Sequence, residues 1–162
     1  MMRIRHAAAG DISALLAIEA HAATAAHWTA EVYRTILSAA GAPRAVLVLE
    51  EGTAIVAFLV ALCQGTEWEI ENIAVSGPAR RRGLGTRLVG ELLGRARQAG
   101  AAGVYLEVRE SNRAARALYE KWAFVEDGRR IGYYSGPVED AILYRFSFAG
   151  GKPQPGPGVS KD

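Results

Sequence analysis

A chain of 162 residues that is 50% hydrophobic and carries a formal net charge of only +2 suits one domain burying roughly 69% of its unfolded surface, and no linker divides it. So small a charge argues against nucleic acid, which calls for a concentrated basic face, and leaves a small molecule or a peptide as the expected partner. The lone cysteine, Cys63, excludes an internal disulfide, no apolar run reaches the ~18 residues of a membrane span, and the start Met-Met-Arg-Ile-Arg-His lacks a signal-peptide apolar region, so a cytoplasmic location is expected.

Residues 3–6 alternate polar and apolar, as a first strand does. Asp11 is placed to cap a helix whose Ile12, Leu15, Leu16, Ile18 and Ala22 form one apolar stripe. Trp28 and Thr29 open a second helix, with Thr29 as N-cap, Glu31 at the positive end, and Val32, Ile36 and Leu37 expected to face inward; Gly41 and Pro43 stop it. Residues 45–49 and 54–62 are apolar or β-branched runs joined at Glu51-Gly52, the pattern of a hairpin. The next strand, 67–75, alternates Glu67, Glu69 and Glu71 with Trp68 and Ile70, then turns wholly apolar at Ile73-Ala74-Val75.

After Val75 the chain breaks at Gly77-Pro78 and restarts as a helix whose first turn carries Gly83 and Gly85. Glycines there let backbone approach a ligand closely, and first-turn N–H groups without a helical acceptor point at it, so Arg80-Arg81-Arg82-Gly83-Leu84-Gly85-Thr86 reads as a cradle for a phosphate-like anion. The dinucleotide fingerprint would need a third glycine where Leu88 stands, and a P-loop would need Gly-Lys-Ser/Thr. Leu84, Leu88, Val89, Leu92, Leu93 and Ala96 continue the helix to Gly100. A short strand at 104–108 follows, then a helix capped at Ser111-Asn112 carrying Ala115, Leu118, Tyr119 and Trp122. A strand starts at Phe124-Val125, a loop holds Tyr133-Tyr134, and 141–148 completes the sheet. Residues 1–149 are thus the expected domain, and 150–162, only glycine, proline and polar residues in composition apart from Val159, the expected disordered tail.

The run Arg80-x-x-Gly83-x-Gly85 after an apolar strand resembles the pyrophosphate-binding signature of the GNAT family of N-acetyltransferases. A second stretch, Leu106-Glu107-Val108-Arg109-Glu110-Ser111-Asn112, followed by Ala117-Leu118-Tyr119-Glu120-Lys121-Trp122-Ala123-Phe124, resembles the RimI-type branch of that family, as do Asn72-Ile73-Ala74-Val75 and Glu139-Asp140-Ala141. The likeness spans about residues 3–148. It implies an α/β fold with a central, mostly antiparallel mixed sheet of about seven strands and about four helices, in which the strands at 75 and 104 splay to admit the pantetheine. It also implies acetyl-coenzyme A as co-substrate and a protein N-terminus as acceptor, with alanine of a small-subunit ribosomal protein the branch's usual target. By the same resemblance Glu107 is the general base and Tyr119 the general acid; Ile73, Ala74, Val75, Arg80, Arg81, Arg82, Gly83, Leu84, Gly85 and Thr86 hold the cofactor, and Asn112 reaches its pantetheine arm.

Taken singly these residues have plainer readings: Glu107 a strand charge, Tyr119 a core ring, Asn112 a helix cap, the arginine run a solvated face. Three departures from the family pattern matter. Trp122-Ala123-Phe124 stands where the family has leucine, glycine and phenylalanine, and a left-handed residue there would cost alanine about 1 kcal/mol, so a reshaped helix end is expected. Glu71 offers a rival carboxylate, and the 132–139 loop is short. His6, His21 and His27 lack metal-ligand spacing, so no metal is expected. The chemistry favours an α-amine: with a pKa near 7.7 to 8.0 it is roughly 10% neutral at pH 7, whereas a lysine amine near 10.4 is neutral about 0.04% of the time, a further cost of about 3.4 kcal/mol. A lysine, a polyamine or another small amine, or a catalytically silent acyl-CoA-binding module, are the alternatives.

Overall fold

The computed structural model describes residues 1–22, 25–38 and 41–148; the tail expected over 150–162 lies outside them. The elements run β1 (Met2–His6), α1 (Ile12–Ala20), α2 (Ala30–Leu37), β2 (Arg44–Glu51), β3 (Ala54–Leu62), β4 (Glu67–Val75), α3 (Leu84–Gln98), β5 (Gly103–Arg109), α4 (Arg113–Lys121), β6 (Val125–Tyr134) and β7 (Glu139–Ser147). The strands form one sheet in the order β1-β2-β3-β4-β5-β7-β6, the mixed α/β architecture the resemblance implies. Contacts cluster in two compact units, Met1–Gln64 with Ile70–Gly94, and Gly65–Glu69 with the chain from Arg95 onward.

In the first unit β1, β2 and β3 pair antiparallel, Ile4 opposite Leu49 and Val48 opposite Phe58, and the hairpin turns at Gly52, whose φ of +64° suits glycine. β2 and β3 read as continuous apolar runs because both faces are covered: Leu47, Val48, Leu49, Phe58, Leu59 and Val60 are all fully buried. α1 and α2 close one face through Leu15, Ile18 and Tyr33, each such side chain contributing about 1.5–3 kcal/mol by leaving water.

Two expectations need correction here. Asp11 stands before α1, but its carboxylate makes no bond into that helix; it accepts from Ala8 N–H at 2.7 Å and from Arg5 at 2.8 and 2.9 Å, so it braces the preceding turn to β1. Thr29 does cap α2, accepting from Val32 N–H at 3.2 Å, yet Val32 itself is exposed and Tyr33 takes the inward place. The winning effect is polar: the Tyr33 hydroxyl donates to Glu19, which also accepts from Asn72 Nδ2 at 2.7 Å, while Asn72 Oδ1 accepts from Ala26 N–H at 3.2 Å. A buried carboxylate is tolerable only with such partners.

In the second unit the start of β4 runs parallel to β5, Glu67 opposite Gly103 and Glu69 opposite Tyr105. β5 and β7 are antiparallel, Leu106 opposite Tyr144 and Glu107 opposite Leu143. Strand alternation therefore sends Val104, Leu106 and Val108 to one face and Tyr105, Glu107 and Arg109 to the other. Tyr119 of α4 packs on the first face, its ring 5.5 Å from Phe124 and 6.3 Å from Tyr144. β6 is longer than expected and takes in Tyr133-Tyr134, which are strand rather than loop; shifts of register on either side of Arg129-Arg130 let it bend while it stays paired to β7.

The end of α4 keeps its shape instead of being remodelled. The helix stops at Lys121, one residue before the expected Trp122. Ala123 adopts φ +67°, its N–H bonds Glu120 O at 3.0 Å and the Phe124 N–H bonds Tyr119 O at 3.0 Å. That is a Schellman closure with alanine in the glycine place.

Candidate active site

The cradle lies within the first unit. β4 carries Ile73, Ala74 and Val75 to its end, a short turn spans Gly77–Ala79, and α3 begins at Leu84, so Gly83 precedes the helix rather than sitting in its first turn. Arg81 at φ +65° and Gly83 at φ +73° are both left-handed, an alternation that gathers successive N–H groups into a concavity of the kind that takes an anion, beside the first turn of α3. A Cβ built on Gly83 would meet nothing within 4 Å, so the concavity is open.

The three arginines do different work. Arg80 reaches back to two carbonyls, Val75 O at 3.3 Å and His21 O at 2.9 Å, and so ties the turn to β4 and to the end of α1. Arg82 grips Glu51 with both nitrogens, at 3.0 and 2.5 Å. Arg81 is exposed and has no ion pair among the described residues; with it, left-handed backbone and helix N-terminus fit a diphosphate.

Glu71, the rival carboxylate, belongs to the same unit and is clamped by Arg44, whose Nε lies at 2.6 Å and Nη2 at 3.3 Å from its oxygens.

The second unit holds the other candidates. Glu107 sits half-buried on β5, and that burial pushes its carboxyl above the usual glutamate value, while the nearby Arg130 guanidinium pulls it back. Arg130 Nη2 is 3.2 Å from Glu107 Oε1. Tyr134 shares the face: burial, then the Glu107 charge, push its hydroxyl up to about 12, and Arg109 lies over its ring at 4.4 Å. Tyr119 is buried and its hydroxyl is held protonated, by burial first and by Tyr134 second. Its ring is on the face opposite Glu107, and no hydrogen bond joins the two among the described residues. Asn112 caps α4, accepting from Ala115 N–H at 3.2 Å.

Reading the sequence misses Arg130 and leaves Tyr134 in a loop, away from Glu107. Nothing local marks them; only the pairing of β6 with β7 brings them beside Glu107. Among the described residues no group of three or more His, Cys, Asp or Glu could hold a metal ion, and no helix is long and apolar enough to cross a membrane.

Comparison with known proteins bears on the family and the fold. Residues 13–124 match the profile of the acetyltransferase (GNAT) family. The chain is 39% identical over 102 residues to the ribosomal protein bS18-alanine N-acetyltransferase of Haemophilus influenzae, covering 60% of this chain and 68% of that one. With the Escherichia coli K12 protein of the same name the identity is 45% over 74 residues, 44% of this chain and 50% of that one. At 45–46% identity the chain thus spans half or less of the length of the relatives it matches. The crystal structure of the ribosomal-protein-S18-alanine N-acetyltransferase from Escherichia coli superposes with a TM-score of 0.81 at 29% identity, covering 99% of both chains.

Proposed function

The chain belongs to the acetyltransferase (GNAT) family, and from that premise we propose that it is an acetyl-coenzyme A-dependent N-acetyltransferase of protein α-amino groups, with the N-terminal alanine of a small-subunit ribosomal protein as its acceptor. The observation that carries the reading is Glu107: a half-buried strand carboxylate with a raised pKa in a chain that also builds an open, left-handed anion cradle before α3. The acceptor is drawn from the names of the relatives.

In this reading the N–H groups of Gly83, Leu84, Gly85 and Thr86 hold the diphosphate with Arg81, while Arg80 and Arg82 hold the turn in shape. Ile73, Ala74 and Val75 present backbone to the acyl arm, and Asn112 lies along it. When bound, acetyl-coenzyme A supplies a thioester carbonyl for the amine to attack. Glu107 takes the proton from the acceptor amine, directly or through a water; its raised pKa makes it a better base than an exposed glutamate, closer to the operating pH. Tyr119, protonated at neutral pH, gives a proton to the departing sulfur. An α-amine suits a single carboxylate base, because it is far more often neutral than a lysine amine. Residues 1–149 act as one cytoplasmic domain.

Acetylation of lysine, polyamine or another small amine is the second reading within the enzyme class, and a silent acyl-CoA-binding module stands outside it. Thiol release from acetyl-coenzyme A with free peptides beginning in alanine, set against lysine-bearing N-blocked peptides and polyamines, separates them. Turnover with the free alanine terminus at least tenfold above the others is the expected result. Preference for a polyamine or lysine peptide refutes the acceptor, and no thiol release with any of them refutes the enzyme.

A further inference from the structure

We propose that Arg130 is a positioning residue for the reaction, one that holds Glu107 ionised and fixed in direction inside its half-buried setting; the inference rests on the reading of Glu107 as the base.

The placement follows from register. Arg130 stands opposite Ala141 in the β6–β7 ladder, and Glu107 stands opposite Leu143 in the β5–β7 ladder. Ala141 and Leu143 are two apart on β7, so Arg130 and Glu107 rise from the same face with one strand between them. Arg130 crosses that strand and brings Nη2 to 3.2 Å from Glu107 Oε1. Its guanidinium is steadied by the Tyr133 ring, 5.0 Å away. The guanidinium thus takes hold of Glu107 at Oε1.

Among the described residues no other cation pairs with Glu107. Along β5 the neighbours on its face are Tyr105 and Arg109; Arg109 is turned to Glu139, Ser135 O and Pro137 O. On β6 Tyr134 is neutral at pH 7, as is Tyr105, both pushed up to about 12. On β7 the residue opposite is Leu143, with Arg145 two residues on and paired to Glu67 and Asp127, and on β4 the carboxylate Glu69 stands opposite Tyr105. Burial favours the protonated carboxyl, which cannot serve as a base. An adjacent guanidinium opposes this.

The test is the acid limb of the kcat against pH profile for Arg130→Gln and Arg130→Lys beside the wild type, with Glu107→Gln as reference, all on one acceptor peptide so that the amine's own pKa is common to the set. Loss of the charge is expected to move the limb of Arg130→Gln upward by about one pH unit, an effect typical of a neighbouring opposite charge. Activity at pH values below the limb then falls about tenfold and approaches wild type above it. Arg130→Lys, which keeps the charge, is expected to restore both the limb and the rate and stays informative should the glutamine variant fail to fold: a lysine variant with the wild-type limb and a near wild-type rate supports the role, and one with the limb unmoved but the rate lowered equally at every pH overturns it. An unmoved limb with uniformly low activity in Arg130→Gln shows that Arg130 merely tethers β6 and overturns the proposal. Retained turnover in Glu107→Gln overturns it through its premise, which is a distinguishable failure.

Discussion

At the scale of single residues, two carboxylates compete for one role, and their partners separate them. Glu71 is gripped by Arg44 through both oxygens at 2.6 and 3.3 Å, whereas Glu107 is touched on one oxygen at 3.2 Å and has its pKa raised by burial. Glu107→Gln is expected to lower turnover by about 10²–10⁴, and Glu71→Gln to lower it little; steady-state rates of the two variants decide, and the reverse ranking moves the base to Glu71. Two tyrosines compete likewise. The Tyr119 ring packs on the face opposite Glu107, while Tyr134 shares Glu107's face. Tyr119→Phe keeps the ring, so kcat and kcat/KM should fall together by about tenfold to a hundredfold with acetyl-coenzyme A affinity intact. Full turnover in a folded Tyr119→Phe enzyme, with the loss found in Tyr134→Phe instead, would transfer the acid role to Tyr134.

At the scale of elements, the two left-handed positions that end one helix and begin another make opposite predictions. Ala123 closes α4 at φ +67°, a conformation that strains an L-residue by about 1–2 kcal/mol, part of which glycine gives back in unfolded-state entropy. Ala123→Gly should therefore raise unfolding free energy by about 0.5–1 kcal/mol in urea titrations with the m-value unchanged. Gly83, at φ +73° before α3, has open space around its missing Cβ. Gly83→Asp should fold, since aspartate tolerates the left-handed region better than most residues, yet it sets a negative charge where the cradle gathers N–H groups. Loss of acetyl-coenzyme A binding in calorimetry is expected, and a folded variant of unchanged affinity would place the diphosphate elsewhere.

At the scale of the whole molecule, the ionic pairs set how stability answers pH. Asp11 is held below the usual carboxylate value by Arg5, Glu139 by Ser111 and then Arg109, and Asp140 by the Gly132 N–H and then Arg129. Each is more acidic folded than unfolded, so its stabilising effect is complete above the unfolded value and disappears as pH falls through the folded one, below about 4. Glu107 has the opposite sign: its folded pKa is raised, so its contribution is greatest below the unfolded value and is lost as pH rises through the folded one. Melting temperature is expected to drop below pH ~4 in the wild type. Glu107→Gln should gain in melting temperature relative to wild type at pH 7 and lose that gain near pH 4; a Gln variant less stable at pH 7 would mean that the Arg130 pair outweighs the burial.

The parts of this protein legible in its sequence are those set within a few residues of each other. Thr29 and Asn112 announce their caps because a side-chain oxygen needs only the N–H three residues on. The apolar runs of β2 and β3 show their double burial, and the glycine loop after β4 shows its left-handed backbone at Gly83, since both depend on local backbone and composition. What only the tertiary structure decided are the partnerships between distant strands. Tyr33 displaces Val32 from the core because Glu19 and Asn72 wait there; Asp11 abandons its helix for Arg5; Glu71 and Glu107, alike in sequence, differ because one faces Arg44 and the other Arg130. Strand register brings those side chains together, and register is a property of the whole sheet, since a shift of one residue would turn every side chain to the other face.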